Sequence, residues 1–496
     1  MVRTPAFTRE IFNNGWLAAR ICAAVLLVVP ASMIAQDTRS GSPVEQSQEL
    51  SIQLQAVARE VARIESESGP FDRRLLEPLS TLVRLNLENE DRANARALLD
   101  QQLQILRISD GLYSVAQIPI IETILELATQ YGDWQQSNDS LQYLSWLYQR
   151  DTTLSPEEKL SGMRKISEWH LLALGKDVKE REAYHLLEMA KTDERISEIA
   201  EQLYGGDSVE IVPYIYNQAL ADAYIALAIT ITFDTSQELL RLTEGISNRP
   251  NLLSGIGSTS LRTTADVEAM YGSRASTVIE RSFKNNMNKH FEKLERIKDI
   301  YSQAGDAEAE AMALMYLGDS LLIRQQFENR PGEFAGIRRG TSSAGTAMSH
   351  YRDALAALAE AGIDEADIKA YTACPVLLPM AEFEPRFAAN KVQCQRNGTD
   401  EYIDLGEYNL VSTFIPGIEG TLAQDESAIA ATVEFEVRAN GQVSRKNIIE
   451  ISPDDTSNRV QIRKLLEITQ FRPAIIDGAP VRTERIRMQI NIPLNE

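Results

Sequence analysis

The sequence predicts a mainly α protein, a solenoid of helical repeats followed by a small α+β domain of ββαβ order. Three observations predict it. Apolar residues recur at helical spacing through residues 44–362. Within that region, helix–corner–helix units return every 42–44 residues, a spacing that belongs to stacked helical repeats. From residue 429 the pattern changes to alternating apolar and polar positions, interrupted by one amphipathic stretch.

Size and charge set the outer bounds. At 496 residues, 44% of them apolar, the chain can build two or three domains with real cores. Its formal charge of -21 repels phosphate backbones, and no basic stripe offsets it, so nucleic acid is excluded as a partner class. Residues 1–35 read as an export signal. Arg3, Arg9 and Arg20 precede an apolar run at residues 21–29, then Pro30 and "ASMIA". That run is shorter than the roughly 20 apolar residues a membrane span needs, so cleavage near Ala31 or Ala35 is expected. Cys22 stands at the start of the run, and reads as an apolar residue of the discarded peptide. The mature chain then keeps Cys374 and Cys394. In an oxidising compartment the two read as one disulfide, worth about 3 kcal/mol on the chain-entropy account; two buried thiols are the other reading.

The opening helix carries Leu50, Leu54, Val57, Val61 and Ile64 on one face. Three units follow, each a helix, a polar corner and a second helix. The corners are Glu90-Asp91, Gly132-Asp133 and Lys176-Asp177. Leu99 and Leu141 hold the same offset from their corners, as do Ile105 and Leu147. A fourth pair opens at "VPYIYNQALADAYIALAI". Residues 245–263, rich in Gly, Ser and Asn, read as a break. Thr264 is the expected N-cap of a helix reaching about residue 303.

The clearest unit is "AGDAEAEAMALMYLGDSLL" with "AMSHYRDALAALAEAG". It resembles the tetratricopeptide repeat: Leu314, Leu317-Gly318 and Leu321 match the first helix, and Ala347, Tyr351 and Ala354 the second. A long insertion, "RQQFENRPGEFAGIRRGTSSAG", replaces the family's short turn. The resemblance implies small residues that let two helices approach, an aromatic filling the space between them, and a surface that binds other proteins.

Residues 363–428 lose helical periodicity and are expected to be an extended linker, stapled by Cys374 and Cys394 and laid along the helices. The domain at 429–496 opens with "AATVEFEVRANGQVSRKNIIEI". Val433, Phe435 and Val437 alternate with charged residues, and Asn440-Gly441 signals the hairpin turn. A helix follows, with Val460, Ile462, Leu465, Leu466 and Ile468 expected inward. In the last strand Ile486, Met488, Ile490 and Ile492 face one way, and Arg485, Arg487, Gln489 and Asn491 the other.

This order is similar to the C-terminal domain of TonB-type energy transducers. The matching positions are Phe435 and Val437, Gly441 and Val443, Phe471-Arg472-Pro473-Ala474, and Gly478, Pro480 and Val481. Phe471 is expected to plug the helix-to-sheet corner and Pro473 to end the helix. The resemblance implies a periplasmic domain that captures a short extended segment at a sheet edge. Arg485, Arg487 and Gln489 of the final strand are then the candidate binding residues. The implied partners are other envelope proteins, among them an outer-membrane receptor or its peptide segment. The family's membrane helix carries a histidine, whereas the first histidine here is His170. A soluble docking adaptor is therefore expected, with an inner-membrane-anchored transducer serving receptor transport as the alternative.

No reaction emerges. His170, His185, His290 and His350 share no metal-ligand spacing. "GDSL" at 318–321 puts Ser320 inside a helix rather than on an exposed strand-to-helix turn. "RRGTSSAG" lacks the lysine of a phosphate loop. The expectation is a protein without catalytic residues, cofactor or metal.

Overall fold

The computed structural model describes residues 43–174, 182–231, 275–328, 343–388, 395–396, 402–409 and 428–493. Residues 1–35, expected to be an export signal, the third corner, the break with Thr264, residues 329–342 of the insertion, and Cys394 lie outside them. The described chain is mainly helical and repeat-like, with a small strand-containing region at its C-terminus. It divides into two compact units, residues 1–162 and 163–496.

The first unit holds α1 (Pro43–Ser68), α2 (Leu76–Glu88), α3 (Arg92–Ser109), α4 (Ile118–Gln130), α5 (Trp134–Arg150) and the start of α6 (Pro156–Leu174). Its repetition is geometric. Asp91 and Asp133 cap α3 and α5, each accepting the backbone N–H three residues on at 3.1 Å, a bond that relieves an orphan donor. The residue before each cap is left-handed, Glu90 at φ +57° and Gly132 at φ +71°. Leu99, Leu141, Ile105 and Leu147 are all buried, as their shared offsets require.

The second kind of corner escaped sequence reading. Gly69 and Gly111, at φ +90° and +91°, are each followed by a one-turn 3-10 segment, capped by Asp72 and by Ser114. Six residues after each glycine a side chain is fully buried, Leu75 and Gln117. Gln117 stays satisfied there. Its amide donates to the carbonyls of Gly111, Leu112 and Ser114, and its oxygen accepts from Arg107 and Tyr143.

The second unit contains α7 (Glu182–Tyr204), α8 (Val212–Ile231), α9 (Ala275–Ala304), α10 (Ala307–Glu328), α11 (Ser343–Glu360) and α12 (Glu365–Thr372). The corner recurs at Gly305 (φ +69°) with Asp306, which accepts from Ala309 N–H. The α10/α11 pair packs most intimately at Gly318. A Cβ there would sit 2.4 Å from a ring carbon of Tyr351, so only glycine lets the ring lie against the α10 backbone.

The C-terminal region contains β4 (Ala428–Val437), β5 (Val443–Ser452), α13 (Thr456–Ile468) and β9 (Thr483–Pro493), the expected ββαβ order. Earlier residues supply β1 (Val376–Leu378), β2 (Gln395–Arg396) and β3 (Ile403–Asn409). Between α13 and β9 run β6 (Gln470–Arg472), β7 (Ala474–Ile476) and β8 (Ala479–Val481). The main sheet has the order β2-β3-β9-β4-β5. Its core joins Val433, Phe435, Val437, Ile486, Met488 and Ile490 to Ile462, Leu466 and Phe471.

Four expectations need correction. Residues 363–428 do not form a plain linker. Asp364 caps α12, which buries Ile368 and Tyr371, and an 8-residue helix is too short to show a clear period. Val460 is 47% exposed on α13; it stands nearly half a turn from Ile462. Pro473 does not end α13, which stops at Ile468; it separates β6 from β7, where its missing N–H interrupts the ladder. In the turn between β4 and β5 Gly441 is left-handed (φ +79°) and Asn440 is not, so Ala439-Asn440 form the turn and Gly441 closes it.

Candidate interaction site

Arg472 ties the sheet domain to the helices. β1 pairs antiparallel with β6, placing Val376 opposite Arg472 and Leu377 opposite Phe471. Phe471 is fully buried against Phe435, ring centroids 5.6 Å apart. The alternation of a strand then sends Arg472 the other way, towards α10 and α11. Its Nε donates to Asp319 Oδ1 at 2.8 Å and its Nη2 to Oδ2 at 2.5 Å. Nη1 donates to the Tyr371 hydroxyl at 2.6 Å, and Tyr351 donates its hydroxyl to Asp319 at 2.7 Å. The two charged side chains are 3% and 6% exposed. Burial opposes the guanidinium charge, but the attraction of Asp319 outweighs it and holds the group above its ordinary range. Burial likewise raises the Tyr351 hydroxyl, with Asp319 adding to the shift. The pair is a fully satisfied buried network, joining the Phe-Arg-Pro-Ala corner to the helix pair that carries the repeat signature.

The other matched positions are structural as well. Gly441 lies under the Phe471 carbonyl, where a Cβ would come within 2.0 Å, and its own carbonyl accepts from Phe471 N–H at 2.9 Å. Val443 opens β5 half-buried, and Ala474 is buried. Gly478 at φ +73° and Asp477 at φ +49° turn β7 into β8, which holds Pro480 and Val481.

The final strand is the surface that sequence reading singled out, and its free rim is filled. β9 lies between β4 and β3. β3 runs parallel to it, placing Ile403 opposite Ile486, Asp404 opposite Arg487 and Glu407 opposite Gln489. Gly406 at φ +74° makes the bulge between the last two pairs. Ile403 is buried in the sheet core. Arg487 donates to Glu434 at 3.0 Å and lies 4.0 Å over the Tyr402 ring; Arg485, at φ +54°, and Gln489 are exposed. The rim was expected to be open because β3 lies some 80 residues earlier in the chain, and no local pattern announces a parallel partner.

Three of the four histidines, His170, His185 and His290, are core residues. His170 and His185 meet in the interior, Nδ1 to Nδ1 at 3.1 Å, and burial pushes His170 well below its ordinary value. His290 donates from Nδ1 to the Ala219 carbonyl at 2.7 Å, and burial lowers it to about 4. His350 is half-buried in α11. Ser320 is 2% exposed inside α10. Among the described residues no group of acids, histidines and cysteines is arranged to hold a metal, and no helix is long and apolar enough to cross a membrane. Cys374 is buried just ahead of β1.

No protein-family model and no curated protein matches the chain. One solved structure, described as a circular tandem repeat protein with novel repeat topology and enhanced subunit contact surfaces, aligns at 14% identity. The alignment covers 64% of this chain and 80% of that one, with a TM-score of 0.30.

Proposed function

We propose that the chain is a non-enzymatic adaptor working in the periplasm, in which a tetratricopeptide-like helical scaffold carries a TonB-like docking sheet. The observation that carries this reading is the β3–β9 pairing. The ββαβ unit accepts a strand from outside itself, along the edge where strand addition would capture a partner. The Arg472–Asp319 pair supports it further, because a docking sheet fixed to a scaffold presents its surface in one orientation. The partner on this reading is an extended segment of another envelope protein that takes the place of β3 beside β9.

A photo-crosslinking residue placed at Gln489, exposed on β9, tests the reading in cells. The reading predicts adducts with a reproducible envelope protein, and purely intramolecular adducts would contradict it. The anchored-transducer alternative separates by N-terminal sequencing of the mature protein. A start after Ala31 or Ala35 supports the adaptor, whereas a start at Met1 or Val2 in the membrane fraction overturns it.

A further inference from the structure

Residues 379–387 cross the helices outside any helix or strand of their own. Side chains of α8 and α10 satisfy their main chain instead. Tyr216 donates its hydroxyl to the Met380 carbonyl at 2.6 Å. Tyr316 donates to the Glu382 carbonyl at 2.9 Å and accepts from Glu384 N–H at 3.3 Å. Glu308 accepts from Phe387 N–H at 2.8 Å. Such bonds hold any extended chain and read no sequence.

Two side-chain contacts do read sequence. Phe383 sits among the rings of Tyr216, Tyr301 and Tyr316, at centroid distances of 5.8, 5.9 and 4.8 Å. Three positions on, Arg386 makes a two-pronged pair with Asp306, at 2.8 and 2.6 Å, and reaches Glu308 at 3.2 Å. Phe383 is only half-buried and Arg386 is exposed, so this stretch lies on the helical surface rather than in its core. The anchor is Phe387, buried against Tyr371. Lifting residues 380–386 away uncovers the buried rings of Tyr216, Tyr301 and Tyr316, so any peptide that replaces them must cover those rings again.

We infer that residues 380–386 are an internal ligand occupying a peptide-binding groove of α8, α9 and α10. The groove takes in trans an extended segment with an aromatic residue three positions before an arginine. Tethering gives the internal copy an effective concentration on the order of millimolar, so an outside peptide enters only when the internal one is weakened or outcompeted. The inference extends the adaptor reading to a second surface, separate from the β9 edge.

The test is fluorescence anisotropy with a fluorescein-labelled synthetic peptide copying residues 378–388. It is titrated with the full chain and with the Phe383→Ala/Arg386→Ala double variant. The double variant should bind the peptide at least about tenfold more tightly than the unaltered chain, since the tethered competitor is weakened. Adding Tyr316→Phe, which removes two main-chain bonds and keeps the ring, should weaken that binding severalfold. Arg386→Ala alone, at an exposed position, guards against a folding defect and should show the same change in smaller measure. Equal binding by all forms, or no binding by folded Arg386→Ala and double variants, overturns the inference. Either result leaves the Gln489 crosslink to decide the adaptor reading by itself.

Discussion

Arg472 and Asp319 stand far apart in sequence and meet as a two-pronged ion pair shielded from water. Truncating one partner leaves the other charge buried and unpaired, at a cost of about 3–5 kcal/mol. Arg472→Ala should therefore lower unfolding stability by that amount in a urea titration. The matched replacement Arg472→Met/Asp319→Leu removes both charges and should recover most of the loss. Asp193 gives a pH signature. It is buried beside Ser167, which donates to it at 2.6 Å, and burial raises its carboxyl from 3.8 to about 7 against that bond. The folded chain then keeps a proton that the unfolded chain releases above about pH 4. Stability from this group falls as pH rises from about 4 to about 7, and levels off beyond. Buried His170 and His290 have lowered values and act oppositely, so stability also falls as pH drops below about 6.5. Asp193→Asn should abolish the first slope, with a gain of up to about 4 kcal/mol at pH 8 and little at pH 4. Thermal melts across that range would measure it.

At the scale of elements, glycines test the packing. Gly318→Ala forces a methyl into Tyr351 and should destabilise by about 1–3 kcal/mol. Gly441→Ala meets both a left-handed φ of +79° and the Phe471 carbonyl, and should cost more than about 2 kcal/mol. Chemical denaturation of each variant measures both effects. These sites show what the sequence made legible. Leu317-Gly318 with Tyr351, the Asp-capped corners and the Val433/Phe435/Val437 alternation are local patterns, and local patterns survive in one dimension. The 3-10 entrances were missed because a buried glutamine, Gln117, looks polar until its partners are known. The docking of Arg472 was missed for the same reason: its position was matched, but an arginine in a strand carries no mark of a buried partner. β3 was missed because Ile403 and Leu405 are too few to show a period, and their pairing is set by distant β9.

For the whole molecule, the residues between helices and sheet decide the behaviour. Residues 376–387 run from the β1–β6 pairing into the tyrosine-lined groove, and 403–409 add to the sheet. Residues 428–493 hold ten Lys and Arg against eight Asp and Glu, in a chain of net charge -21. That region is thus slightly cationic within an acidic molecule, consistent with an added strand that brings Asp404 and Glu407 to Arg487 and Gln489. The central claim is that the chain fills both of its own docking surfaces. Hydrogen–deuterium exchange of the full chain, followed by mass spectrometry of peptides covering 376–387 and 403–409, tests it most directly. The account predicts protection of both segments, with 403–409 slowed towards the level of β9. Exchange of both at the rate of an unstructured peptide would contradict it.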